Sequence, residues 1–171
     1  VEEAARFRVR PGRRSDAAAI GELRVRHLGE TARLDPRLRT AEGARERIAH
    51  APATWLSQDE RCVFVALDAA APEEESQALL GYACGLLSVW PPIWAARRVG
   101  EVTEAFVVPD RRGQGAGRAL LRAVALDLSD RGAEVLRAPV PARNPWAVSL
   151  FRSLGFDPVQ TVLELAAPKG E

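Results

Sequence analysis

The sequence predicts an α+β fold built on a mixed, mostly antiparallel sheet. Three observations carry this. Strand-like apolar runs fall at residues 7–10, 61–67, 79–89, 99–108, 134–140 and 159–165. Helically spaced apolar residues fall between them in four stretches, ending near residues 28, 50, 131 and 154. Between the fourth strand and the third helix stands Arg112-Gly113-Gln114-Gly115-Ala116-Gly117, a strand, a glycine turn and a helix start in succession. At 171 residues the chain is expected to be one domain, 1–171, large enough to bury a core.

Taken in order, Phe7-Arg8-Val9-Arg10 alternates as a short first strand and Pro11-Gly12 breaks it. Ser15 or Asp16 is placed to cap a helix running to Leu28, with Ile20, Leu23 and His27 at helical spacing. Pro36 and Pro52 bracket a second helix over 41–50. Cys62-Val63-Phe64-Val65-Ala66-Leu67 reads as a buried strand, and 68–77 as an acidic loop. The third strand, 79–89, is interrupted by Gly81 and Gly85 and ended by Pro91-Pro92. In the third helix Ala116, Ala119, Leu120, Ala123 and Val124 form an apolar stripe that also contains Asp127, a carboxylate the pattern leaves unexplained. Residues 134–140 form a fifth strand. Asn144 caps a fourth helix with Pro145 at its first position, and Gly155 stands where a helix end favours positive φ. Val159, Thr161, Leu163 and Leu165 alternate with polar neighbours as a last strand.

Composition excludes several classes. The 47% hydrophobic and 27% charged content is that of a soluble globular protein. With 24 basic against 23 acidic residues the net charge is +1, which gives no field for nucleic acid or a membrane surface. Cys62 and Cys84 both lie in apolar runs, and neither they nor the two histidines have metal-ligand spacing, so no metal is expected. With no apolar run long enough to span a bilayer and no signal-like segment, a cytoplasmic location is expected.

The glycine run narrows the function. Glycines permit positive φ and close backbone approach. The first N–H groups of a helix have no partner within it and sit at the positive end of its dipole. Such a turn cradles phosphate. A Walker loop requires a Lys that is missing here. A dinucleotide fingerprint requires a glycine where Arg118 stands, and an apolar strand where Glu101 and Glu104 stand. The remaining pattern, Arg or Gln, two residues, Gly, one residue, Gly or Ala, is matched by Arg112, Gly115 and Gly117.

On these residues the chain resembles the GCN5-related N-acetyltransferase superfamily. Val107-Val108-Pro109-Asp110-Arg111-Arg112 is similar to the run out of that family's fourth strand, and Arg118-Ala119-Leu120-Leu121 to the opening of its third helix. Asn144, Ala147 and Leu150 through Phe156 resemble its second signature. The matched region is roughly residues 99–156. The resemblance implies a central sheet of about six or seven strands flanked by about four helices and splayed between strands 4 and 5. It implies acetyl-CoA as co-substrate, with Arg112, Gly113, Gln114, Gly115, Ala116, Gly117 and Arg118 on the pyrophosphate. Main-chain groups of Phe106, Val107 and Val108, with Asn144 and Phe151, would line the pantetheine arm.

Acetyl transfer to an amine requires a neutral nucleophile and a donor for the developing oxyanion. The thiolate, of pKa about 8.5, is a tolerable leaving group. By register, Glu101 matches the base position of the family's histone-acetylating members and Glu104 an acidic position frequent in its bacterial ones. Either, or a water chain, is a candidate base. Residues three apart face opposite sides of a regular strand, and a bulge would change that. Many members carry Tyr where Phe151 stands, so that general acid is missing here. The sole tyrosine, Tyr82, reads as a half-buried strand residue, and water is left to protonate the thiolate. Cys84 reads as a small apolar strand residue rather than a nucleophile. His27 and His50 read as surface or boundary residues, His27 being nearer the acceptor side that the family's first two helices line. Trp90-Pro91-Pro92-Ile93-Trp94 is a candidate wall of the acceptor pocket, a homodimer contact or a core plug. The acceptor is expected to be a small-molecule or peptide amine. The alternatives are a non-catalytic acyl-CoA-binding module and a nucleotide-binding protein.

Overall fold

A computed structural model describes residues 7–69, 79–95 and 97–165. Five strands form one sheet in the order of the chain: β1 (Phe7–Pro11), β2 (Arg61–Asp68), β3 (Leu79–Val89), β4 (Arg98–Val107) and β5 (Val135–Arg137). The first three pairings are antiparallel and the last is parallel. Helices α1 (Ala17–Leu34) and α2 (Arg45–Trp55) cover one face. Helix α3 (Ala116–Asp130) covers the other, with α4 (Pro145–Arg152) beside it.

Period-two alternation divides the core between the faces. Val63, Val65, Tyr82, Cys84 and Phe106 face α1, where Ile20 and Leu23 meet them. Cys62, Ala66, Ala83 and Val102 face α3, which answers with Ala116, Leu120, Leu121, Val124 and Leu128. Each of these large side chains contributes about 1.5–3 kcal/mol by burial. The buried stripe of α3 thus runs through Leu121 and Leu128, with Ala119 and Ala123 at its flank. Asp127 now has an explanation. It pairs with Arg131 at 3.1 Å, one helical turn on, and Arg131 reaches the main-chain carbonyls of Asp59 and Arg61 at the start of β2.

Several boundaries differ from those read in the sequence. Helix α1 follows a 3-10 turn (Arg14–Asp16) and continues to Leu34. Asp16 does not cap it through its side chain; the buried carboxylate instead accepts from Arg13 N and the Arg10 guanidinium, both at 2.7 Å. Helix α2 runs through Pro52 instead of stopping before it. Proline has no N–H for the Ile48 carbonyl four residues back. Arg24 Nη1 of α1 supplies the missing donor at 3.2 Å. The two helices approach closely there, since a Cβ on Gly21 would lie 2.1 Å from Ala49 O. Strand β3 is not interrupted at its glycines. A Cβ on Gly81 would meet Phe106 O at 2.4 Å, and one on Gly85 would meet Val124 and Cys62, so both are close approaches within a continuous strand.

The expected six or seven strands are corrected to five among the described residues. β5 covers only 135–137, and residues 157–165 form no strand. A strand needs a paired neighbour, and here Val159, Val162, Leu163 and Leu165 stand 75–90% exposed. Most of the acidic loop, 70–77, lies outside the described residues.

Candidate active site

The site begins where the sheet opens. β5 pairs with β4 only at Val99, Gly100 and Glu101, so among the described residues Val102 to Val107 have no strand partner on that side. Main-chain groups along an antiparallel strand alternate in direction. Val108 N donates to Leu80 O at 2.8 Å, towards β3. Phe106 shares that direction and Val107 faces the opening, where its carbonyl accepts from Arg112 Nε at 2.8 Å. Of the three residues expected to offer main-chain groups to a pantetheine arm, Val107 is the one aimed at the gap. The Val108 amide is engaged by Leu80 O, on the β3 side.

Beside the gap, β4 passes through a 3-10 turn (Pro109–Arg111) into the glycine loop. Gly113 and Gly115 take φ of 74° and 93°, values that favour glycine. Gly115 is the N-cap of α3 and has no side chain to satisfy the first-turn N–H groups. Gly117 occupies the second helical position. A Cβ there would meet Leu150 Cδ2 at 3.5 Å and Val107 Cγ2 at 3.8 Å, ordinary contacts, so packing within the protein does not demand glycine. Backbone donors at a helix N-terminus suit an anionic group such as a pyrophosphate. Arginines surround them. Arg112 Nη2 pairs with Glu30 at 2.7 Å, Arg111 with Asp68 at 3.2 Å, and Arg118 donates to Ser153 Oγ at 2.9 Å, tying α3 to the end of α4. Gln114 is exposed and donates to Asp110 O at 3.4 Å. Ala116 is buried beneath the loop.

Asn144 Oδ1 accepts from Ala147 N at 3.1 Å, and Pro145 starts the helix, as the capping pattern predicts. Phe151 is half-buried against the α3 face and stacks edge-to-face on Phe156 at 5.1 Å.

On the α1 face the strand carbonyls give way to side-chain chemistry. β4 has a bulge at Thr103, whose hydroxyl donates to Cys84 O at 3.2 Å. Glu101 pairs with Leu86 and Glu104 with Cys84, residues two apart in β3. The extra residue therefore brings both carboxylates to the same face. Their surroundings differ. Glu101 makes no side-chain hydrogen bond or ion pair among the described residues. Glu104 is gripped by Arg24, with Nε 3.0 Å from both carboxylate oxygens and Nη2 2.8 Å from Oε1. Tyr82 Oη donates to Glu104 Oε2 at 2.8 Å, and His27 Nδ1 lies 3.1 Å from Tyr82 Oη. Tyr82 is not half-buried, as its strand pattern suggests, but wholly buried. Burial, then the Glu104 charge, push its pKa well above the usual tyrosine value. Burial lowers the His27 pKa, while Glu104 and Glu30 oppose that fall.

Sequence reading missed this cluster as a unit. Arg24 and His27 lie three residues apart on α1, so one helical face carries both. Nothing in the sequence indicates that this face meets Tyr82 and Glu104. Arg24 is held further by the Trp55 ring, 4.5 Å from its Cζ.

The tryptophan segment is not a core plug: Ile93 and Trp94 are exposed, and Trp90 packs under the Arg137 guanidinium at 4.1 Å. Arg137 is also the β5 partner of Glu101. Both cysteines are buried. Burial and Asp127 push the Cys62 thiol up to about 12, and burial raises that of Cys84, so neither is a thiolate nucleophile.

The sheet opens beyond its fourth strand, and a helix N-terminus without a side-chain cap stands at the mouth. Comparison with known proteins gives the family. The sequence model of the acetyltransferase (GNAT) family matches residues 29–156. The thialysine N-epsilon-acetyltransferase of Mus musculus is 27% identical over 148 residues, covering 86% of this chain and 82% of that protein. The mycothiol acetyltransferase of Saccharomonospora viridis is 38% identical over 76 residues, 44% of this chain and only 25% of that protein. Among solved structures, a mutant Bacillus halodurans protein superposes with a TM-score of 0.77 at 19% identity, covering 94% of this chain and 99% of that one. An aminoglycoside N-acetyltransferase solved with CoA gives 0.72 at 15% identity over 98% of both chains. The chain belongs to the acetyltransferase (GNAT) family, and its enzyme class is N-acetyltransferase. No helix among the described residues is long and apolar enough to cross a membrane.

Proposed function

We propose that the chain, as a single domain over 1–171, moves the acetyl group of acetyl-CoA directly to a primary amine. The observation that carries this is the adjacency of the bare α3 N-terminus to the gap beside Val107. The loop from Arg112 to Arg118 holds the pyrophosphate. The Val107 main chain, Asn144 and Phe151 line the arm. The amine nitrogen forms the C–N bond as the C–S bond breaks, its electron pair going to sulfur. Glu101 and Glu104 give the acceptor side its negative charge and draw in a cationic amine. Glu101, with its lone pairs uncommitted, is the better placed of the two to take a proton, directly or through water.

The acceptor is a small-molecule or peptide amine. One relative is named for a thialysine ε-amine and a fold neighbour for aminoglycosides, both amines. A net charge of +1 supports neither a nucleic-acid nor a membrane partner, and the cytoplasm suits two unpaired buried thiols. The exposed Ile93 and Trp94 suit an acceptor wall or a homodimer contact.

A second reading, a non-catalytic acyl-CoA-binding module, draws on Phe151, which has no proton to give the leaving thiolate. Calorimetry with acetyl-CoA, ATP and NAD, followed by an amine screen for thiol release, separates the readings. Tight binding of acetyl-CoA alone with amine-dependent thiol release is expected. Tight binding without turnover favours the binding module, and preference for ATP or NAD overturns both.

A further inference from the structure

Arg24, Glu104, Tyr82 and His27 form a linear hydrogen-bonded chain whose polarity is fixed from one end. Arg24 has only donors, and its Nε and Nη2 engage both oxygens of the Glu104 carboxylate, which meets its neighbours as an acceptor. Tyr82 must then donate its O–H to Glu104, 2.8 Å away. With that proton committed, the Tyr82 oxygen meets His27 Nδ1, 3.1 Å away, as an acceptor. Nδ1 therefore carries the imidazole hydrogen, and Nε2 is left with its lone pair. No hydrogen bond to Nε2 exists among the described residues, and the side chain is 21% exposed. The ring also stacks on Phe106, centroids 5.5 Å apart, and Arg112 lies over the same Phe106 ring at 5.3 Å. That places His27 beside the residue preceding Val107, at the mouth of the gap.

We propose that His27, in place of Glu101, is the proton acceptor of the reaction, its Nε2 taking the proton of the incoming ammonium group, with Tyr82, Glu104 and Arg24 as positioning residues. This rests on the amine-transfer reading above. The ammonium N–H bond breaks, its electron pair stays on nitrogen for the attack, and an N–H bond forms at Nε2. The imidazolium later returns that proton to water, and the second proton lost by the amine ends on the thiolate. The arrangement follows the logic of a base oriented by a buried carboxylate, with a tyrosine hydroxyl inserted between them. The charged groups facing His27 are Glu104 from β4, Arg24 and Glu30 from α1, and Arg112 from the glycine loop, with Tyr82 from β3. Burial holds the imidazole below its ordinary 6.5 and so neutral at neutral pH. Glu104 Oε2, 4.0 Å from Nδ1, stabilises the imidazolium once it forms.

The test combines nitrogen NMR of ¹⁵N-histidine protein with pH–rate profiles. There are two histidines, and His50→Gln assigns the spectrum. Neutral His27 is expected as the Nδ1–H tautomer, moving towards Nε2–H in Tyr82→Phe. His27→Gln is expected to lower kcat/KM by roughly 100-fold or more and to flatten the acidic limb, with acetyl-CoA Kd unchanged as the check on folding. An Nε2–H tautomer in the wild type overturns the proposal without any substrate. Wild-type turnover and an intact acidic limb in His27→Gln overturn it while leaving the transfer reading standing. Absence of amine-dependent thiol release in the wild type overturns the transfer reading, and the role of His27 falls with it.

Discussion

The glycine loop and the polar cluster on the α1 face stand at the same opening of the sheet, yet they are built on opposite plans. The loop is contiguous and made of backbone: residues 113–118 offer N–H groups at the start of α3, where no side chain caps the helix. The cluster is assembled from α1, β3 and β4, and its chemistry lies entirely in side chains held by Trp55, the Ile48 carbonyl and each other. A backbone site tolerates no added bulk and is indifferent to pH. A side-chain site tolerates bulk changes at its edge but depends on every charge in it. Mutations should therefore separate the two by readout, donor affinity on one side and turnover, pH response and stability on the other.

The largest effect is expected at Gly117. A valine there fills the space above the first helical turn, while its Cβ makes only ordinary protein contacts. Acetyl-CoA affinity should fall on the order of 100-fold, about 2.7 kcal/mol, with little change in Tm. Unchanged Kd in calorimetry would break the assignment of this loop to the pyrophosphate.

The carboxylate pair sharpens the contrast within the α1 face. Glu104→Gln leaves the Arg24 charge without its counter-ion in a site where both side chains are under 20% exposed. It should destabilise by about 2 kcal/mol, less than for a fully buried pair, and disturb the pH profile through Tyr82. Glu101→Gln should cost under about 0.5 kcal/mol of stability and act, if at all, on turnover. Chemical denaturation of the two proteins checks the difference; equal losses would mean that the Arg24 contact contributes nothing specific.

A smaller effect belongs to pH. The His27 pKa is lowered on folding from 6.5, so below that value the unfolded chain binds more protons than the native one. Stability should fall as pH drops from 6.5 through the folded pKa, and His27→Gln should remove that part of the slope. Denaturation midpoints between pH 5 and 7 would show it. The smallest effect is expected from Phe151→Tyr. The added hydroxyl extends a half-buried ring that packs on Phe156. Turnover should change by no more than about threefold unless thiolate protonation limits the rate, and steady-state kinetics would reveal that exception.

The same contrast explains what the sequence made legible. The loop was readable because its signal is local: Arg112, Gly115 and Gly117 in fixed spacing between a strand and a helix. Asn144 and Pro145 were readable for the same reason, since a cap is written in adjacent residues. Strand β2 followed from an unbroken apolar run, and β3 from one whose glycines read as breaks but are close approaches. Most of the failures are non-local. Helix α2 passes Pro52 because Arg24, 28 positions earlier, donates to Ile48 O. Residues 159–165 alternate like a strand, but pairing needs a neighbouring edge, and the alternation does not supply one. Tyr82 looked like an ordinary strand residue because its meaning lies in Glu104 and His27, which strand register and helix packing bring to it. A bulge at Thr103 puts Glu101 and Glu104 on one face, a change of parity that composition does not record.

The central claim is that donor loop and acceptor cluster together transfer an acetyl group to an amine. The most direct measurement follows free thiol release from acetyl-CoA across a panel of primary amines, with mass spectrometry of the acceptor. The account predicts thiol release that depends on the amine and an acceptor heavier by one acetyl group in equal amount. Saturable binding of acetyl-CoA with no thiol release above the buffer rate for any amine would contradict it.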